Sequence, residues 1–503
     1  MNLVLNMQKL GTIVALPDSP STTQFSFVLD KNAQVKKGQY VQTGDSGTLT
    51  IGYINEITKA NRYFERAESV SEFERHREMK DVFPVGEWEY TLGEVKIVGS
   101  WSNGAFQRTY TPPPPGNKIV PADEELLKNL LHFEENGLDI GKLQHHDIDV
   151  KLDLTKLLQK HVAILAMSGA GKSHLASVLM EELLDRRKEE GRIALVVIDI
   201  HGEYFGFQSD MRYGSKVKVI HGKDICIPLR KVSPEQMEEW VELSYPQKEL
   251  LRKTMGELRK KEYGFKELME KVDAEESATE NVKRTLKRSL GELRRYRFLS
   301  RNKEHPRLLQ EIKPGEMLLV DFSDSDSLRK KQILLSLIAR RLFKLRKKGK
   351  IPPFLMVVEE AHNFAREKAE KQDATSKRII ETIAREGRKF GASLCLISQR
   401  PVNLSTTALS QCNTHIILRV TNPNDLDHIQ MSSEGIDARI VRNITGLQVG
   451  EAIIVGEAVR YPTFVHVRQR KSLKKEKGLP LHQQAQQFEQ AAAEKEKQVE
   501  AFL

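Results

Sequence analysis

Between His161 and Leu184 the chain reads HVAILAMSGAGKSHLASVLMEELL, an apolar run, a loop of small residues and then an amphipathic helical pattern. Residue types in that order build a phosphate cradle. Small side chains let the backbone amides of Gly169, Ala170, Gly171, Lys172 and Ser173 turn inward, and the helix that follows adds the positive end of its dipole. Lys172 is placed to reach the β- and γ-phosphates of ATP, and the Ser173 hydroxyl to reach the accompanying Mg2+. Ser168 and His174 flank the cradle and complete the expected nucleotide-binding set. Ala166 stands where the pattern GxxxxGK[ST] has its first glycine; the cradle is made by the later residues, so the departure is tolerated.

Far downstream, FLMVVEEAHN (354–363) is an apolar strand pattern that ends in two adjacent carboxylates. Ionised groups at the end of a buried strand are costly unless a metal or a proton-transfer task holds them. Glu359 is therefore expected to support the magnesium shell and Glu360 to polarise the water that attacks the γ-phosphate. A later strand pattern ends SLCLISQRP, and its Gln399 can contact that phosphate or the water; a plain polar loop residue is the alternative. In IAREGRKFG, Arg385 and Arg388 sit near a helix end, where an arginine can serve a neighbouring subunit's site or remain ordinary surface. Asp199 and Glu203, in VVIDIHGEYFGF, are second-line site candidates, with a polar-capped turn as the equal alternative.

Positioning these groups requires a particular scaffold. Apolar runs at 162–167, 193–200, 317–322, 354–358, 394–397 and 416–420 alternate with helical segments, the pattern of a parallel sheet covered on both faces. Residues 232–310 break the pattern with a charged helical insertion that opens on Ser233 and Pro234. Before the core, short alternating strands over residues 1–110 suggest a small β-barrel. The run Pro112–Pro115 with Gly116 reads as a stiff spacer, so a linker is expected over 111–160. The α/β core is thus expected over 161–231 and 311–458, with a brace and a basic, helical tail over 459–503.

The 503 residues allow about three domains. Three cysteines without metal or CxxC spacing point to a reducing compartment. No apolar run approaches the roughly 18 residues of a membrane span, and the first residues lack a leader's pattern, so a soluble cytoplasmic protein is expected. A formal charge of +10 fits a polyanionic partner, although charged residues are 29% of the chain and much of that is solvated surface. The basic cluster 340–350 is read the same way.

Taken together, these segments resemble the HerA family of the FtsK-HerA group of P-loop ATPases, over nearly the whole chain. GYINEITKANRYFERAE resembles that family's HAS-barrel, PPPPGNKIVPADEELL its linker, IDIHGEY its core and VVEEAHNF its Walker B strand. The resemblance implies a RecA-like core, Gln399 as sensor and Arg385 as arginine finger. It also implies Lys160 where the family often has a nucleotide-contacting arginine, and a C-terminal brace at VRYPTFVHVR, with Tyr461 beside the nucleotide. A homohexamer that translocates double-stranded DNA with a NurA-like nuclease, in end resection and repair, is implied on the same footing. A ring scaffold holding an effector protein in anti-phage defence is the alternative. A secretion or conjugation motor is disfavoured for want of a membrane segment.

Overall fold

The computed structural model describes residues 8–15, 20–45, 47–75, 77–259, 261–325, 327–368, 375–433, 435–474 and 481–500. Part of the expected basic tail, 475–480 and 501–503, lies outside them.

The N-terminal strands are β1 (Gly11–Val14), β2 (Gln24–Leu29), β3 (Tyr40–Asp45), β4 (Thr48–Asn61), β5 (Glu89–Ser102), β6 (Ala105–Gln107) and β7 (Lys118–Pro121). Six of them pair antiparallel in the closed ring β2-β1-β7-β3-β4-β5, with β2 returning to β5. Alternate residues point inward, and Phe25, Phe27, Val41, Ile54, Val95 and Ile119 fill the barrel. Gly93 is required where Phe27 crosses it, because a Cβ there would meet the ring at 2.3 Å. The closing strand β7 comes after the proline run. The boundary expected at 110 therefore falls short of the barrel's last strand, and Pro112–Gly116 is a turn held by Gly116 N–H to Ile13 O at 2.9 Å, not a spacer between domains.

The core continues with β8 (Leu138–Leu143), β9 (Asp149–Leu152), β10 (Val162–Leu165), β11 (Ala194–Asp199) and β12 (Val217–His221). Two short strands, β13 (Ile227–Pro228) and β14 (Leu299–Ser300), pair in parallel and tie together the ends of the helical insertion. Then follow β15 (Met317–Asp321), β16 (Phe354–Val358), β17 (Ala392–Ser398), β18 (Thr414–Ile417), β19 (Glu451–Gly456) and β20 (Thr463–Val467). The eleven-stranded sheet runs β12-β15-β11-β16-β17-β10-β18-β19-β20-β8-β9. Its first seven strands are parallel, and the strands from β18 onward pair antiparallel. All residues of β10, β11, β15, β16 and β17 are buried, which explains their unbroken apolar sequences.

The insertion carries helices Pro234–Trp240, Tyr245–Leu258, Phe265–Asp273 and Glu280–Arg295. Ser233 caps the first, accepting from Gln236 N–H at 3.3 Å while its own N–H donates to Gln236 Oε1 at 2.9 Å. Trp240 is edge-on to Phe298 at 5.7 Å, packing the start of the insertion against its end. The three cysteines are free, and among the described residues no helix is long and apolar enough to cross a membrane.

Two buried histidines give the fold a defined acid response. His161 donates from Nε2 to Ala384 O at 2.9 Å and accepts from Leu394 N–H at Nδ1, 3.0 Å away. His415 donates to Cys412 O at 2.7 Å and faces the Ser433 hydroxyl through Nδ1. Both rings are satisfied as neutral imidazoles, and burial pushes each down to about 4. Between about pH 6.5 and pH 4 the unfolded chain binds these protons and the fold does not, so stability is lost as pH falls through that window. Two protons correspond to up to about 2.7 kcal/mol per pH unit near pH 5. Thermal midpoints measured between pH 5 and pH 7 should fall on acidification; a flat profile would contradict this.

Candidate functional site

Four neighbouring parallel strands, β11, β16, β17 and β10, end at one edge of the sheet, and each delivers a candidate group there. Asp199 closes β11, Glu359 and Glu360 follow β16, Gln399 follows β17, and the loop 166–171 follows β10. This is the edge at which open parallel sheets bind ligands, because strand ends and helix N-termini converge there.

The loop rises from β10 tied to both neighbouring strand ends, by Ala166 N–H to Ser398 O at 3.2 Å and Met167 N–H to Arg419 O at 2.9 Å. Gly169 and Gly171 adopt φ of +80° and +106°, a region that favours glycine. Ser168 and Gly169 are exposed and Ala170 is buried. Gly171 caps the helix Lys172–Asp185, whose first amides have no intrahelical acceptor and face outward for an anion. Lys172 is 9% exposed and donates through Nζ to Glu360 Oε1. Ser173 lies half-buried in the first turn. His174 turns away from the cradle, with Nε2 2.8 Å from Arg468 O.

Glu360 is 2% exposed and holds a left-handed backbone, φ +46°, unusual for a residue with a side chain. Its Oε2 lies 3.3 Å from His362 Nδ1, which is also 3.2 Å from Ser398 Oγ. Glu359 is fully buried beside Asp199. Asp199 Oδ1 accepts from the amides of His201, Gly202 and Glu203 at 3.2, 2.7 and 3.1 Å, and Oδ2 from Tyr204 N–H at 3.0 Å. Asp199 thus caps the turn that the sequence offered as one of its two readings. Burial raises the Asp199 carboxyl above its ordinary range against those amides. Burial raises Glu359 as well, and the Asp199 and Glu203 carboxylates push it the same way. Glu359 Oε1 is buried without a hydrogen-bond partner among the described residues. The unpartnered Glu359 oxygen, at the same sheet edge as Ser173 and the anion cradle, fits a hard cation that takes one or two protein oxygens and completes its shell with phosphate and water.

Three expected site residues lie elsewhere. Lys160 precedes β10 and pairs with Glu457 at 2.7 Å, at the edge opposite the phosphate loop. Tyr461 lies in the β19–β20 turn at that same edge, its hydroxyl against Gly99 of the barrel. Arg385 follows Ala384, whose carbonyl meets His161 at the start of β10, so it too sits at the far edge. A strand rises about 3.3 Å per residue, so four-residue β10 alone separates the two edges by roughly 13 Å. Lys160 and Tyr461 therefore lie at the strand edge opposite their own chain's phosphate loop. Arg385 and Arg388 are exposed, and their side chains form no hydrogen bond or ion pair among the described residues.

The sequence reading passed over His362, Ser398 and a clamp on the phosphate-loop helix. The signal for the first was its place two residues after Glu360. In the clamp, Arg468 reaches Glu181 at 2.8 Å and Glu182 at 2.7 Å, and Ser472 donates to the fully buried Glu181 from N–H at 2.7 Å and Oγ at 2.6 Å. The segment expected to brace the nucleotide or a neighbouring subunit is held, through Arg468, against the loop's own helix.

A family model described as the central domain of helicase HerA matches residues 138–342. A probable helicase of Methanocaldococcus jannaschii is 30% identical over 86% of this chain and 86% of its own length. A probable DNA double-strand break repair helicase HerA of the same organism is 30% identical over 76% of this chain and 86% of its own. Among solved structures, VirB4 of Thermoanaerobacter pseudethanolicus superposes with a TM-score of 0.53 at 15% identity, covering 67% of this chain and 98% of that one. That likeness bears on the fold alone.

Proposed function

We propose, from the premise that this chain belongs to the HerA helicase family, that it is an ATP-driven translocase of double-stranded DNA working as a homohexamer in the cytoplasm. The carrying observation is the convergence of the glycine cradle, buried Lys172 and the strand-end carboxylates on one sheet edge, with Arg385 on the other. The loop amides and Lys172 hold the triphosphate of ATP. Glu360, freed from Lys172 when that ammonium turns to the phosphates, accepts the proton of the attacking water. Gln399, half-buried between the strand of Glu360 and the strand of the loop, orients that water or the γ-phosphate. Ser173 and Glu359 would hold Mg2+, which when bound neutralises phosphate charge and polarises the transferred group.

Arg385 stabilises the transition state only if it belongs to an adjacent copy, because it cannot reach its own chain's loop. A ring in which one subunit's far edge meets the next subunit's cradle supplies it to every site, and places Lys160 and Tyr461 near the neighbour's nucleotide as well. A relative's name as a double-strand break repair helicase supports DNA as the polymer, and the formal +10 charge agrees. A NurA-like nuclease as partner in end resection is part of the same proposal, with an effector-holding defence ring as the second reading. ATP-dependent displacement of a triplex-forming strand from linear duplex tests translocation. Displacement that needs hydrolysable ATP is the expected result; ATP hydrolysis without displacement would favour the scaffold.

A further inference from the structure

Beside the catalytic carboxylate, on the side away from Lys172, lies a cavity of about 450 Å³ lined by Arg329, His362, Asn363, Arg366, Arg400 and Asn403 together with Leu328 and Gln332. It opens at the same sheet edge as the phosphate loop, built by the segments after β16 and β17 and the start of the helix Leu328–Lys347. Its lining holds three guanidiniums, an imidazole and amide side chains, with no carboxylate among the described residues that line it. Arg366 and Arg400 are exposed, and their side chains form no hydrogen bond or ion pair among the described residues. Two other cations near this edge are paired with acids: Lys172 meets Glu360, and Arg468 meets Glu181 and Glu182. The forked donors of Arg366 and Arg400 suit phosphate oxygens.

Short polar contacts lead from the cavity wall, by way of the Arg400 backbone, towards the catalytic group, the last of them a close approach and not a hydrogen bond. Arg400 N–H donates to Ser398 Oγ at 3.1 Å, and that buried hydroxyl is 3.2 Å from His362 Nδ1, which stands 3.3 Å from Glu360 Oε2. Building on the DNA reading above, we propose that this cavity seats backbone phosphates of the DNA duplex, and that His362 is a positioning residue that couples their presence to Glu360. An occupied cavity fixes Arg400, and through Ser398 and His362 it sets the Glu360 carboxylate that Lys172 otherwise holds. Hydrolysis is thereby tied to DNA in the subunit that grips it.

The test uses the full chain and a fluorescent linear duplex, with affinity measured over a salt series. Arg366→Glu/Arg400→Glu is expected to bind duplex at least tenfold more weakly, and to flatten the slope of log affinity against log salt by about two, at about 0.9 per phosphate contact. The single Arg366→Gln and Arg400→Gln variants should each remove about half of that slope change. His362→Ala should keep duplex affinity and the half-saturating duplex concentration while its maximal DNA-stimulated kcat falls about tenfold, and His362→Gln, which retains a donor, should recover part of it. If the intact protein binds no duplex, the DNA reading itself falls, and this proposal with it. If the intact protein binds duplex and the arginine variants bind it equally well with the same slope, only the cavity assignment is overturned. If those variants instead weaken a fluorescent ATP analogue and leave duplex binding alone, the phosphates are those of nucleotide and the proposal is equally overturned.

Discussion

Glu360→Gln should bind ATP and fail to turn it over, with kcat lowered by about 10³ and nucleotide affinity unchanged or tighter. The side chain is 2% exposed in a strained left-handed turn at the end of β16, where it points at Lys172 and His362. Glutamine keeps the shape and a hydrogen-bonding oxygen but cannot take a proton at neutral pH, so the loss is confined to the chemical step. Binding of a fluorescent nucleotide, measured beside steady-state phosphate release, separates the two effects. A variant that hydrolyses ATP at more than a tenth of the normal rate would mean that another group is the base.

Arg385→Ala should lower kcat by a similar factor, about 10³ or more. The loss should be repairable in a way that no residue of the same chain's site allows. An interface is complete when one subunit brings Glu360 and its neighbour brings Arg385. Mixing equal amounts of Glu360→Gln and Arg385→Ala subunits, each inactive alone, should restore about a quarter of the interfaces if the copies assemble at random. Recovered phosphate release on mixing is the measurement. No recovery, with subunit exchange confirmed, would place Arg385 outside any neighbour's site.

The phosphate loop was legible because it is local: strand, small residues and helix follow one another within 24 residues, and each has a backbone reason to be there. The parallel core was legible for a related reason, since strands buried on both faces carry unbroken apolar runs. What escaped was whatever depends on the partner across the sheet. β7 has four residues and ends in proline, too little for a strand pattern, yet it closes the barrel. The buried neighbours Asp199 and Glu359 and the Arg468–Glu181 clamp join residues distant in the chain, and no spacing rule reaches across them. The family resemblance alone puts Lys160 beside a nucleotide, and says nothing of whose nucleotide. A strand lies between Lys160 and the loop, and a strand is a separation.

Cavity, carboxylates and cradle form one connected edge, and the central claim is that this edge hydrolyses ATP in response to DNA. The most direct test is the steady-state ATPase rate of the intact protein with and without linear duplex. A several-fold rise with duplex is the predicted result. Hydrolysis that proceeds at one rate whether duplex is present or absent would contradict it.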